Sequence, residues 1–256
     1  MIVSNQVASL TLSAQKLFLI LKQFRKLCVY TSIFVNQKFI EMKKVLLLTT
    51  IAALFMACGS PDASTEAGDA KETAVATESS TSYTIDVEKS TLEWLGGKVG
   101  GSTHTGTINL VKGSVQANGS SIESGGFAID MNSIAVTDDL PEEKKAYLVG
   151  HLAGTTGTDK DADFFQVKKY PTASFDITSN TADSLTGNLT IVGVAKSITI
   201  PYTASVEGDT LSASSTFSID RTQWGIKYGS GSFIDNLGDD AINDAIEFKI
   251  NLVGAK

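Results

Sequence analysis

From Tyr83 onward, apolar and polar residues alternate with a period of two. Phe127, Ile129 and Met131 alternate with Ala128, Asp130 and Asn132, and Ala173, Phe175 and Ile177 alternate with Thr172, Ser174, Asp176 and Thr178. Ile198, Ile200, Tyr202 and Ala204 share one side of their stretch. Leu211, Ala213, Phe217 and Ile219 do likewise, as do Ile246, Phe248, Ile250 and Leu252. Alternation of this kind gives a strand one buried and one solvated face, the habit of antiparallel sheets. Turn signals separate the runs at Asn118-Gly119, Gly125-Gly126 and Glu207-Gly208-Asp209. The pattern predicts strands near 83–87, 91–99, 105–117, 122–134, 172–180, 184–194, 196–206, 210–220 and 245–254. Eight or nine consecutive strands with hairpin-length links favour an up-and-down barrel over a sandwich. One helix interrupts them, with Asp139 as its cap and Pro141, Glu142 and Glu143 in its first turn. Tyr147, Leu148, His151 and Leu152 form its apolar stripe, and a second helical turn is expected around Asp239 to Asp244.

The first third of the chain follows no such pattern. Met42 to Cys58 has the layout of a signal peptide: Lys43 and Lys44, an apolar stretch from Val45 to Ala57, then Cys58. That stretch is too short for a comfortable membrane span. A small residue followed by cysteine resembles the bacterial lipobox, with Phe55 where leucine is usual, and so points to Cys58 as a lipid attachment site. The alternative is a plain secretory signal with an incidental cysteine. Residues 1–41 read as an extension from a start codon placed too early, with Met42 as the true start; a long basic extension ahead of the signal is the other reading. Residues 58–82 are small, polar and acidic without an aromatic until Tyr83, so they read as a disordered tether. Residues 83–256 are then one barrel domain.

Charge sharpens this division. Before Cys58 there are seven basic residues against Glu41 alone, whereas from Cys58 onward there are 27 acidic and 14 basic residues, a net of −13. The exported part therefore lacks the basic surface that nucleic acid requires. Chemistry-bearing motifs are sparse. His104 and His151 are the only histidines, and no His-x-x-x-His pair or cysteine pair accompanies them, so no metal site is expected. His151 is read as a packed, hydrogen-bonded helix residue and His104 as part of a turn or strand start. Asp159, Asp161 and Asp163 loosely recapitulate a calcium loop, but the glycine such a loop needs is Phe164 here. No Gly-x-Ser-x-Gly elbow or phosphate-cradling loop appears, so an enzyme is not expected. Catalysis would need Asp130, His151 and Arg221 to converge.

Several stretches nevertheless have a family character. Gly126-Phe-Ala-Ile-Asp-Met-Asn-Ser-Ile134, His151-Leu152, Asp163-Phe-Phe165, Tyr170-Pro-Thr-Ala-Ser-Phe175, Leu185 to Val194 with Lys196, and Ile219-Asp-Arg-Thr-Gln-Trp-Gly225 follow one another in order. Together they resemble the YceI-like family over about Tyr83 to Val253. The resemblance implies an all-β fold, an antiparallel eight-stranded lipocalin-like barrel with one short helix inserted, in the periplasm or cell envelope. It also implies an apolar chain-like ligand, such as a polyisoprenoid or a quinone tail, and no other cofactor. The chain departs from the family pattern at 154–162, which lengthens one link.

On that reading the ligand-lining residues are Phe127, Ile129, Met131, Phe175, Ile177, Leu189, Ile191, Ile200, Phe217 and Phe248. An eight-stranded barrel either fills with its own side chains or keeps room for one small ligand, and the sequence leaves both open. A barrel with room gives an envelope lipoprotein that carries or buffers a lipid. A filled barrel gives a structural or interaction module presenting the 154–162 loop. Arg221 with Trp224 is expected to close one end of the barrel, the arginine stacking on the ring; a contact to a ligand headgroup is the alternative.

Overall fold

The computed structural model describes residues 64–156 and 164–256. Residues 1–57, Cys58, and Asp159, Asp161 and Asp163 lie outside the described residues. Eleven strands form one sheet: β1 (Gly68–Asp69), β2 (Thr81–Ile85), β3 (Thr91–Gly97), β4 (Thr103–Asn118), β5 (Ser121–Val136), β6 (Thr172–Asn180), β7 (Ser184–Ile191), β8 (Val194–Pro201), β9 (Thr203–Glu207), β10 (Thr210–Asp220) and β11 (Ala245–Ala255). A helix, α1 (Glu142–Ala153), lies between β5 and β6.

Ten of these segments, β2 to β11, occupy eight positions around a barrel. β2 and β3 both lie between β4 and β11, at opposite ends, and so share one position. β8 and β9 share another, because the chain leaves β7 at Pro201 and reaches β10 from Thr203 onward. All the strand pairings are antiparallel. The alternating apolar residues point inward: Ile198, Ile177, Leu211 and Ile219 are almost completely buried. Phe127 faces Phe175 across β5–β6, with ring centroids 5.8 Å apart, and Phe217 faces Phe248 across β10–β11 at the same distance. Two glycines make room for large rings. A Cβ at Gly106 would collide with the Trp94 indole and the Ala135 carbonyl, and one at Gly187 with the Phe175 ring.

Three local expectations are corrected. Asp139 does not cap α1. Pro141 occupies that position in extended conformation without a side-chain bond, and its carbonyl accepts from the N–H groups of Lys144 and Lys145. Proline fixes φ and lacks the N–H, so it starts the helix through geometry alone. Tyr147 does not join the buried stripe but is 70% exposed, because α1 buries its far end, Gly150, Leu152 and Ala153. The second helical turn is confined to Gly238–Asp240.

The largest difference concerns the expected tether, 58–82. From Ser64 on it is bonded to the barrel wall. β9 covers β10 only as far as Ser214, leaving the stretch near Ser218 without a neighbour on that side. Residues 65–69 enter this seam: Thr65 N–H donates to Ser218 O (2.6 Å), and Gly68 and Asp69 pair with Ser197 and Lys196 of β8. The strap then crosses successive strands. Lys71 N–H donates to Asn188 Oδ1 (2.9 Å), Ala74 N–H to Ile177 O (2.9 Å), and Thr77 N–H and Ser80 Oγ to Glu123 Oε2 (2.8 and 2.6 Å). Unpaired strand edges are satisfied by any chain with free N–H and C=O groups, whatever its side chains. Composition therefore did not reveal the strap.

Candidate functional site

The site is built at the end of the barrel where β3, β5, β7 and β10 finish and β4, β8 and β11 begin. α1, the segment from Phe164 to Tyr170 and the long connection from Gly225 to Asp244 cover this end. Between them lies a cavity of about 670 Å³, lined by Trp94, Ile108, Ile134, Leu148, Leu152, Phe164, Phe165, Tyr228, Ile234, Ile242, Ile246 and Phe248. This volume falls within the about 300–1,000 Å³ usual for small-molecule sites. Farther in, the barrel is nearly full. A void of about 40 Å³ remains at mid-barrel and one of about 30 Å³ beyond it.

The ten lining residues expected from the sequence all lie in the barrel interior. Phe127, Ile129, Met131, Phe175, Leu189, Ile191, Ile200, Phe217 and Phe248 surround the 40 Å³ void, and Ile177 lies by the deeper one. Of the ten, Phe248 alone also borders the large cavity. Ile108, Phe165 and Phe248 line both spaces and so form the partition between them. The open site thus rests on residues that alternation did not single out, notably Trp94, Leu148, Tyr228, Ile234 and Ile242. One signal was available: Gly225 to Asp244 is a long aperiodic link in a protein of short turns, and such links are commonly functional.

Arg221 organises this cover. Its side chain is fully buried, and its guanidinium donates to the carbonyls of Ile226 (2.8 Å), Asn243 (3.1 Å) and Ile242 (3.3 Å) and to Asp244 Oδ1 (3.3 Å). It therefore ties both ends of the 226–244 connection to the end of β10. Burial lowers its pKa, opposed by the charges of Asp244 and Asp220. Its stacking partner is Phe164, with the guanidinium carbon 4.9 Å from the ring centroid, and not the expected Trp224. Trp224 is buried separately, and its Nε1–H donates to Leu189 O at 3.0 Å. The Asp220 carboxylate accepts from Thr222 N–H, which folds the 3-10 turn Arg221–Trp224 and aims the two side chains in different directions.

His151 packs edge-on against Tyr228 (4.6 Å) and Phe164 (5.4 Å), forming an aromatic cluster beside Arg221. His104 Nδ1 lies 2.5 Å from Asp138 Oδ2. Burial pushes the Asp138 carboxyl up, but bonds from the Thr105 N–H, the His104 ring and the Thr105 hydroxyl outweigh it and hold its pKa below the ordinary value. Lys98 at the cavity edge pairs with Asp240 at 2.6 Å. Asp130 accepts from Asn132, and Arg221 is committed to the cover, so these two do not meet in a catalytic cluster. Among the described residues, no group of His, Cys, Asp and Glu is arranged to hold a metal ion. The chemistry on offer is an apolar chamber whose neighbouring charges are engaged with the protein itself.

A closed antiparallel barrel with an apolar chamber at one end defines a lipocalin-like class of protein. The sequence pattern of the YceI-like domain matches residues 83–254, and the chain belongs to that family. It is 27% identical over 188 residues to a UPF0312 protein of Pseudomonas putida, covering 68% of this chain and 86% of that one. Its fold is shared with BcnA of Burkholderia cenocepacia (TM-score 0.50, 23% identity, 66% of this chain and 98% of the other). It is also shared with a polyisoprenoid binding domain from Saccharophagus degradans (TM-score 0.50, 14% identity, 68% and 97%).

Proposed function

We propose that the protein is a non-catalytic carrier or buffer for an apolar, chain-like lipid of the polyisoprenoid type, held to the cell envelope by a lipid on Cys58. One observation carries the ligand reading: the large cavity has mainly hydrocarbon walls, and only Ile108, Phe165 and Phe248 part it from an entirely apolar interior. Burial of each methylene-sized unit there contributes about 0.8 kcal/mol, so a branched hydrocarbon binds without hydrogen bonds. The polyisoprenoid-binding neighbour on the same fold and the family membership support this class. The anchor rests on the sequence from Met42 to Cys58. Because mid-barrel space is only about 40 Å³, the first units of the chain occupy the mouth chamber. Deeper threading requires Phe165 and Phe248 to swing aside.

That same 40 Å³ favours a second reading, an interaction module with a filled barrel. Mass spectrometry of lipid extracted from protein purified from its native envelope separates the two. The carrier reading expects a chain-like apolar molecule, recovered several-fold less from Ile234→Asp, which at 43% exposure loses about half of the ~1.5–3 kcal/mol that full burial is worth. Protein that is empty in both forms refutes the carrier and leaves the module.

A further inference from the structure

We infer that the rim of the mouth cavity is a membrane-docking surface, through which ligand passes between bilayer and barrel without crossing water. The inference rests on the anchored-carrier reading and adds which face meets the lipid.

Nine large apolar side chains are exposed among the described residues, and five of them gather at the mouth: Val99, Tyr147, Tyr228, Phe233 and Ile234. Tyr147, Tyr228 and Ile234 line the cavity opening itself. Val99 is tied to the same cover by its N–H, which donates to Ala241 O at 2.8 Å. Phe233 precedes Ile234 and is 52% exposed, with the Lys227 ammonium 4.3 Å from its ring centroid. Of the other four, Val75, Leu95 and Val111 lie on the strap and the outer wall, and Val194, at the β7–β8 turn, is at the mouth end but does not line the cavity. Tyrosines around an apolar centre suit the membrane–water boundary, and a lysine stem beside a phenylalanine can carry its charge back to water.

The strap supplies the argument for a bilayer in particular. A free tether from Cys58 to Tyr83 would leave the barrel's orientation open. Instead the chain is fixed at Thr65, bonded to Ser218 on the mouth half of β10, just before the turn that carries Arg221. Thr65 lies seven residues after Cys58, at most about 25 Å of extended chain. A lipid on Cys58 therefore holds the mouth end near the membrane. The diacylglyceryl group of a lipobox cysteine has two acyl chains and anchors the protein by itself, so the apolar patch decides which face meets the bilayer. Charge does not drive the contact: Lys98 is paired with Asp240, and Asp235 and Asp239 offset Lys227.

Brominated lipids quench a tryptophan that enters the acyl region; Trp94 lines the cavity and Trp224 is buried, so the parent protein with the same lipids supplies the background to subtract. The full chain is reconstituted in vesicles of phosphatidylethanolamine and phosphatidylglycerol, with and without brominated acyl chains, as Phe233→Trp and as Val111→Trp on the outer wall. Both positions are about half exposed, so neither change disturbs the core. Phe233→Trp should lose roughly half of its added emission, as expected for about 5–10 Å of penetration, in low and high salt alike. Val111→Trp should lose none. Protein that floats with the vesicles but shows no quenching at 233, equal quenching at both positions, or quenching abolished by salt overturns the docking face while leaving the anchor. Protein that does not float overturns both. A protein cross-linked through position 233 without bromine quenching replaces the bilayer with a protein partner and overturns the inference.

Discussion

Replacing Arg221 by methionine or by lysine distinguishes a residue that holds the barrel's cover from one that receives a ligand headgroup. Methionine keeps apolar contact with Phe164 but strands the carbonyls of Ile226, Ile242 and Asn243 and the Asp244 carboxylate. Hydrogen bonds from a charged donor are each worth about 1.5–3 kcal/mol. Their simple sum overshoots, because Ile242 and Asn243 border the open cavity and water reaches them once the guanidinium is gone. The expected loss is about 3–5 kcal/mol, the range for deleting one partner of a buried ion pair. Lysine keeps the charge but cannot fork to acceptors on both sides, so about half that loss is expected. A domain of this size has about 5–15 kcal/mol in hand, so Arg221→Lys folds and can be measured even where Arg221→Met does not. Urea unfolding followed by circular dichroism should show a lower midpoint with an unchanged slope. Stability within about 1 kcal/mol of the parent in the lysine variant, combined with lost lipid capture, would refute the structural role and make Arg221 a headgroup contact.

Two further outcomes follow from the electrostatics and the strap. The Asp138 pKa is depressed in the folded state, so its contribution to stability is complete above the unfolded carboxylate value of about 4 and disappears as pH falls through the lower folded value. Thermal unfolding across the acid range should show Asp138→Asn less stable than the parent at neutral pH and converging with it below about pH 4; a constant gap contradicts the assignment. At the strap, bonds from the Ser80 hydroxyl and the Thr77 N–H and hydroxyl hold the Glu123 pKa down. Glu123→Gln should speed hydrogen exchange at the Thr77 amide while leaving the amides of β5 and β6 protected, and unprotected Thr77 in the parent would mean the strap is not seated.

Much of the barrel was legible in the residues, and the reason is local. A strand with one buried face must alternate, so Phe127-x-Ile129-x-Met131 and Ile246-x-Phe248-x-Ile250 show both their conformation and their inward side without knowledge of any neighbour. The order of motifs from Gly126 to Gly225 likewise pointed to the family to which the chain belongs. The candidate site was less visible. Inward-facing does not mean bordering empty space, and how far Phe127, Phe175, Phe217 and Phe248 fill the interior depends on where four strands put them. Arg221 stood out as the lone arginine after Cys58, yet its partners come from Phe164 and from the 226–244 connection, far along the chain.

The sequence by itself determined the period-two strands, the single inserted helix, the acidic portion after Cys58 and the signal-like segment ahead of it, because each is written in the order of neighbouring residues. Tertiary structure alone decided that β8 and β9 share a position, that the resulting seam takes up residues 65–69, and that the free volume lies under the cover and not along the axis. Those outcomes depend on backbone groups and packed volumes meeting across the fold. Main-chain N–H and C=O are the same in every residue but proline, so no pattern of side chains announces where an open edge will find its partner.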